Sequence, residues 1–251
     1  MLRRWGDDAH GDENGGFVNE DPPLTLFIRD LPQAVRFPIS GRGLPTLIAS
    51  GVIFAVFEFF FSFAMGVGTF LAIALTGYVF LYLQTVMRAA AEGEDEMPFW
   101  PDMLNLLDMT APLLRYVALL ILCCGPAVAL ATYAAQSSPI APGLRMGVIA
   151  LSVAGGLYFP MALLGLTISS NWEGLLPHIV IPSIVRSIPA YLLLCATLAG
   201  FGAVAGTLDH FLKGIPVAGA LVRGVLSFYE LGFLGFALGR FYRAYEGMLK
   251  F

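Results

Sequence analysis

The sequence predicts an all-α integral membrane protein of six transmembrane helices, paired as three helical hairpins and joined by cytoplasmic interfacial elbows in a parallel three-fold repeat. Three observations lead there. Of 251 residues, 57% are hydrophobic and 13% charged, with a mean hydropathy of +0.76. Soluble domains carry about 25% charged residues, so roughly half the usual solvating charge is missing. The apolar residues are gathered into stretches that match or double the ~20 residues a helix needs to cross a ~30 Å hydrocarbon core, and prolines recur ahead of these stretches at nearly constant spacing.

Residues 1–23 are rich in Gly, Asp and Asn, and seven acids fall in the first thirty residues: Asp7, Asp8, Asp12, Glu13, Glu20, Asp21 and Asp30. Such a composition cannot bury enough apolar surface to offset the entropy of ordering, and it reads as an acidic tail, disordered or ordered by a partner. No apolar core of a cleavable signal peptide is visible in it, so the mature chain is expected to keep Met1. Residues 24–43 turn amphipathic: Leu24, Phe27, Ile28, Leu31, Val35 and Phe37 alternate with Arg29, Asp30 and Arg36, as in a helix lying on the membrane surface.

The transmembrane domain is expected over 44–251. Leu44 to Met87 is 44 residues with a single charge, Glu58. One helix of that length would measure about 66 Å, twice the hydrocarbon thickness, so the chain must fold back. Gly66-Val67-Gly68 is the expected break, giving spans near 44–65 and 69–87. The second hairpin joins 112–135 to 144–169 through a turn from Gln136 to Gly143, and the third joins 189–208 to 217–239 through Asp209 to Pro216.

Basic residues orient the spans. With the N-terminus in the cytoplasm, eleven (Arg3, Arg4, Arg29, Arg36, Arg42, Arg88, Arg115, Arg186, Arg240, Arg243 and Lys250) are cytoplasmic and three (Arg145, Lys213 and Arg223) are not. This positive-inside bias predicts that both ends and the two long connections are cytoplasmic; the membrane is expected to be a bacterial cytoplasmic one. Ahead of each hairpin stands a pair of prolines, Pro32 and Pro45, Pro98 and Pro112, Pro177 and Pro189, separated by 13, 14 and 12 positions. The second proline of each pair reads as the first turn of a span, where a missing N–H costs nothing. The segment between is then an elbow, with Trp100 and Trp172 as interfacial anchors.

The segments LPQAVRFPISGRGLPTLIASG and GYVFLYLQTVMRAAAEGEDEMPFWPDM resemble an uncharacterised prokaryotic family of multipass membrane proteins known only as a domain of unknown function. The resemblance rests on Ala34, Arg36, Phe37, Pro38, Gly41 and Gly43 before the first span, then Gly93, Pro98 and Pro101 after the second. It implies a six-helix membrane protein over about 24–250 and supplies no activity. The likeness to Yip1-type proteins is one of topology.

Ionisable groups at membrane depth are the functional candidates, since each costs roughly 2.5–3.5 kcal/mol at a helix centre. Three qualify: Glu58, Arg223 and Glu230. Glu58 and Arg223 fall at similar depth, so an ion pair tying the first and third hairpins is expected. For Glu230 the structural reading is a hydrogen-bonded glutamic acid holding neighbouring helices, and the functional one is a proton or cation site shared with Glu58. Gly202 with Gly206, Gly235 with Gly239, and Gly155, Gly156 and Gly165 are close-packing signals. Phe54, Phe57, Phe59, Phe60, Phe61 and Phe63 give the first span aromatic groups on every face, suited to lipid or to a neighbouring subunit. The acidic run from Glu92 to Glu96 is expected to project away from anionic headgroups, or to meet a basic partner.

The three cysteines, Cys123, Cys124 and Cys195, lie in apolar stretches without metal-ligand spacing, and His10, His178 and His210 cannot face one another as haem ligands. No nucleophile–base motif or nucleotide-binding loop is present. The acid-biased charge, −4 net, excludes a nucleic-acid surface. The expectation is therefore a non-catalytic accessory, scaffold or assembly subunit of a larger membrane complex, with no cofactor, and with bound lipids and other membrane subunits as partners. The alternatives are a small proton- or cation-coupled transporter or channel using Glu58 and Glu230, and a lipid-organising protein.

Overall fold

The computed structural model describes residues 22–41, 43–63, 65–100, 106–136, 141–215 and 218–249, without the side chains of 57–63, 65–74 and 106–109. Within them the chain is all-helical, with no strand: α1 (Pro23–Arg36), a 3-10 turn (Phe37–Ile39), α2 (Gly43–Phe63), α3 (Met65–Glu92), α4 (Leu106–Ala135), α5 (Pro142–Ser169), a second 3-10 turn (Trp172–Leu175), α6 (Pro177–Arg186), α7 (Ile188–Leu212) and α8 (Ala218–Tyr245). The acidic tail falls outside the described residues.

Four helices are long and apolar enough to span a membrane: Thr110–Ala135, Pro142–Ser169, Ile188–Leu212 and Ala218–Tyr245. Pro23–Ile39 and Gly43–Val56, bent by 58° at their junction, make a fifth if they form one broken span. The described helices thus give four to five candidate spans where six were expected. Much of the stretch counted as the first hairpin, from 57 to 74, lacks described side chains.

α8 is the mast of the bundle. Half of its apolar window is buried inside the protein, against 17% for α4 and 22% for α7. Glycines allow its close contacts with two neighbours. A Cβ on Gly224 would fall 3.0 Å from the Gly51 Cα of α2, and one on Gly235 would fall 2.7 Å from the Val86 side chain of α3. Along α8, contacts to α2 run backwards (Gly51 at Val225, Gly43 near Gly232 through Pro38 and Met97), and contacts to α3 run forwards (Val86 at Gly235, Met87 at Gly239). α2 and α3 are therefore antiparallel and straddle α8. α4 and α5 form a second antiparallel pair, with Gly155 seated on Cys123 and Gly147 on Leu130. α7 returns along α8, with Phe201 stacked on Phe233 at 4.2 Å and Gly219 against Leu212.

Two expected boundaries shift. Gly66, Val67 and Gly68, the expected break, lie within α3 as described from Met65, where the opening turn of a helix has no i−4 acceptors to lose and admits glycine cheaply; Ala64 lies outside the described residues. Pro112 sits inside α4, which begins at Leu106, and so does not open the helix, although it stands two residues into the apolar stretch from Thr110. The helix continues through it, as spans do where neighbouring groups re-satisfy the freed carbonyl. Pro45 and Pro189 do stand in the first turns of α2 and α7.

α1 turns Phe27, Leu31 and Ala34 toward α8, with Phe27 edge-on to Phe241 at 5.6 Å, and leaves Ile28 and Val35 exposed on its other side. α6 repeats its ending. Leu31-Pro32 to Val35-Arg36 closes α1, and Ile181-Pro182 to Val185-Arg186 closes α6, with both valines exposed and both arginines last in the helix. Each of these short helices leads into a long one.

Candidate functional site

Glu230 stands within about two residues of the middle of α8, about 2–3 Å along the axis. Its flanks are used in packing: Phe228 and Leu231 are buried, and Tyr229 and Phe233 stack on Phe201 of α7. Glu230 itself lines a half-open cavity of about 330 Å³ between α3, α4, α7 and α8. Two stacked aromatic pairs contribute to the lining, Phe80 with Tyr116 at 4.4 Å and Phe201 with Phe233 at 4.2 Å. A second cavity of about 200 Å³ adjoins it on the α2 side, sharing Thr76 and Ser227. Among the described residues the Glu230 carboxyl makes no hydrogen bond or ion pair, so the expected helix-holding bond is not found there.

Arg223 lies near the α7–α8 turn. Its guanidinium donates to the Leu212 carbonyl at 3.3 Å and lies 3.8 Å from the Asp209 carboxylate, which also pairs with Lys213 at 3.1 Å. Asp209 thus ties that end of the hairpin together. The expected pairing of Arg223 with Glu58 cannot be followed, because the Glu58 side chain lies outside the described residues. α2 and α3 nevertheless both pack on α8, the proximity that such a pairing requires.

The other end of α8 carries an arrangement that sequence reasoning missed. Arg240 is 6% exposed, with its guanidinium 4.9 Å above the Phe236 ring. It pairs with Asp30 of α1 at 3.7 Å and with Asp95, and reaches the Gly93 and Glu94 carbonyls at 3.4 Å. One cation therefore gathers α1 and the acidic 92–96 loop onto α8. Gly93 makes the turn at φ +95°, and a Cβ there would collide with the Arg243 guanidinium. The acidic run thus meets Arg240 through Asp95 and the Gly93 and Glu94 carbonyls, while Glu92, Glu94, Asp95 and Glu96 stay exposed. Its basic partner lies in its own chain, 145 residues away. Tyr229 also holds α1, donating to the Val35 carbonyl in its last turn at 2.5 Å.

Arg88, Glu92, Tyr242, Arg243 and Glu246 line a cleft of about 860 Å³ at the same end, where Arg88 also donates to the Thr167 carbonyl and the Ser170 hydroxyl. The two tryptophans differ. Trp100 lies among Tyr78, Tyr82 and Phe228, stacked on Phe228 at 5.5 Å and thus engaged by the bundle, whereas Trp172 is 47% exposed. The cysteines are free, and among the described residues no group of three His, Cys, Asp or Glu could hold a metal ion.

The small-residue signals also divide. Gly235 and Gly239 are filled by α3, whereas a Cβ on Gly200, Gly202 or Gly206 of α7 would meet nothing within 4 Å.

By the length and composition of its helices, this is a multipass α-helical membrane protein. Comparison with family models, curated proteins and solved structures gives no match to the chain.

Proposed function

We propose that this chain is a six-span protein of a bacterial cytoplasmic membrane, cytoplasmic at both ends, that serves as a non-catalytic accessory or assembly subunit of a larger membrane complex. The observation that carries the reading is the unequal use of its two glycine seams. Gly235 and Gly239 on α8 are consumed by α3, but on the matching seam of α7 a Cβ on Gly202, at the edge of the Glu230 cavity, or on Gly206 would meet no described residue within 4 Å. In lipid, helices associate by close backbone approach at such residues, so an unfilled seam suits a helix from another subunit. The sixth span comes from counting α2 and α3 as separate crossings, which their antiparallel course supports. The shared endings of α1 and α6 support a likeness between the first and third units, and the resemblance to a six-helix prokaryotic family agrees with the number of spans.

Purification in mild detergent from native membranes tests the reading: other membrane polypeptides should accompany the chain in fixed ratio, and the reconstituted chain alone should conduct no ions. A protein recovered alone would contradict it.

A second reading, a small cation- or proton-coupled transporter, is favoured by one observation: Glu230 lines an intramembrane cavity without a partner among the described residues. Flux in liposomes that disappears in Glu230→Gln would establish it in place of the first.

A further inference from the structure

We infer that the Glu230 cavity is a binding site for a small lipophilic organic ammonium ion. The inference rests on the second reading above, that Glu230 serves a cation, and names the class of that cation. The carboxyl has no hydrogen bond or ion pair to a described residue, and it lies near the middle of the longest-buried helix of the bundle. A carboxylate at that depth is costly unless a cation compensates it. The remaining lining selects among cations. Metal ions such as calcium or magnesium need six or more oxygens, whereas this cavity offers one carboxyl and a few hydroxyls. An organic ammonium needs only one counter-charge and apolar or aromatic walls, because ring faces attract a desolvated cation. Phe80, Tyr116, Phe201 and Phe233 supply those walls from four different helices.

Size and access agree. About 330 Å³ lies at the small end of ligand pockets, which suits a compact ion over a two-chain lipid. α4 and α7 both line the cavity yet make at most glancing contact with each other. An amphiphilic cation can therefore enter from the bilayer between them, at the open Gly202.

The test uses the full chain in nanodiscs of zwitterionic phosphatidylcholine, which removes adsorption to anionic lipid. Tetrapropylammonium titrated by calorimetry should bind saturably, and an uncharged hydrocarbon of the same shape should bind at least about tenfold more weakly. Glu230→Gln should lose about tenfold or more, Phe201→Leu about threefold to tenfold, and Glu246→Gln nothing. Should Glu230→Gln fail to fold, the wild-type chain still decides the matter: tetrapropylammonium should protect Glu230 from carbodiimide modification, read by mass spectrometry of the peptide. Equal affinity for the uncharged isostere, an unchanged affinity in Glu230→Gln, or absence of protection at saturating probe overturns the inference. Sodium or proton flux that needs Glu230, in a protein that does not bind tetrapropylammonium, sinks it while leaving the broader cation reading standing.

Discussion

Arg240 is held by two carboxylates of unequal exposure, and the inequality decides what each is worth. Asp95 is 72% exposed and screened, whereas Asp30 is 22% exposed and the guanidinium itself 7%. Removing the buried cation strands Asp30 and the loop carbonyls and empties space over Phe236. Arg240→Ala should therefore cost about 3 kcal/mol, while Asp95→Asn should stay within about 1 kcal/mol. Unfolding in detergent followed by circular dichroism measures both, and equal effects would contradict the assignment of Arg240 as the hub. Nothing in the local sequence marks this hub. Arg240 reads as one more cytoplasmic charge, because Asp30 and Asp95 are remote in sequence and only the fold of α1 and of the 92–96 loop brings them to it. Glu230 was legible for the opposite reason: a carboxyl in an apolar run is conspicuous without knowledge of its neighbours. What the run could not supply was the cavity, which needs residues of α3, α4 and α7.

At the scale of elements, hydropathy reads the lipid-matching length and not the helix. The second hairpin, expected at 112–135 and 144–169, is Leu106–Ala135 and Pro142–Ser169, close because its ends coincide with turn-forming Ser, Pro and Gly. α7 and α8 overrun expectation, to Leu212 and Tyr245. Their last turns carry Asp209, His210, Arg240 and Arg243, polar residues that a hydropathy window discounts but that a helix accepts readily outside lipid. Glycine seams sharpen the same point. Both were visible as spacings, yet only the packing separates a filled seam from an open one. Gly239→Leu should destabilise the protein by about 2–3 kcal/mol, since a Cβ there already meets the Ala90 Cβ at 2.6 Å and the Ala91 nitrogen at 2.9 Å. Gly206→Leu should change stability by no more than about 0.5 kcal/mol, having nothing nearby to displace. Detergent denaturation midpoints compare the two, and a large loss in Gly206→Leu would mean that its face is already occupied within the protomer. Topology is testable at this scale as well. With the native cysteines replaced, a single cysteine at Glu94 should be labelled from the cytoplasm and one at Ile215 only from the opposite side, following the charge bias that orients the spans.

The whole molecule is an asymmetric bundle built around α8. The first hairpin and α7 hold α8 closely, while the α4–α5 pair packs on α3 and leaves most of its apolar window, 83% of α4's, outside the protein's own core. Lipid accounts for most of such exposure, but lipid has no need of a backbone-deep seam like that of α7. The measurement that bears most directly on the proposed role is the mass of the native particle. Extracted from its own membrane in mild detergent, the wild-type chain should run as a complex with other membrane polypeptides in whole-number ratio. Gly206→Leu should run as the free, folded chain. A wild-type protein already at the mass of one chain with its lipids, or a complex that Gly206→Leu leaves intact, would contradict a docking role for α7.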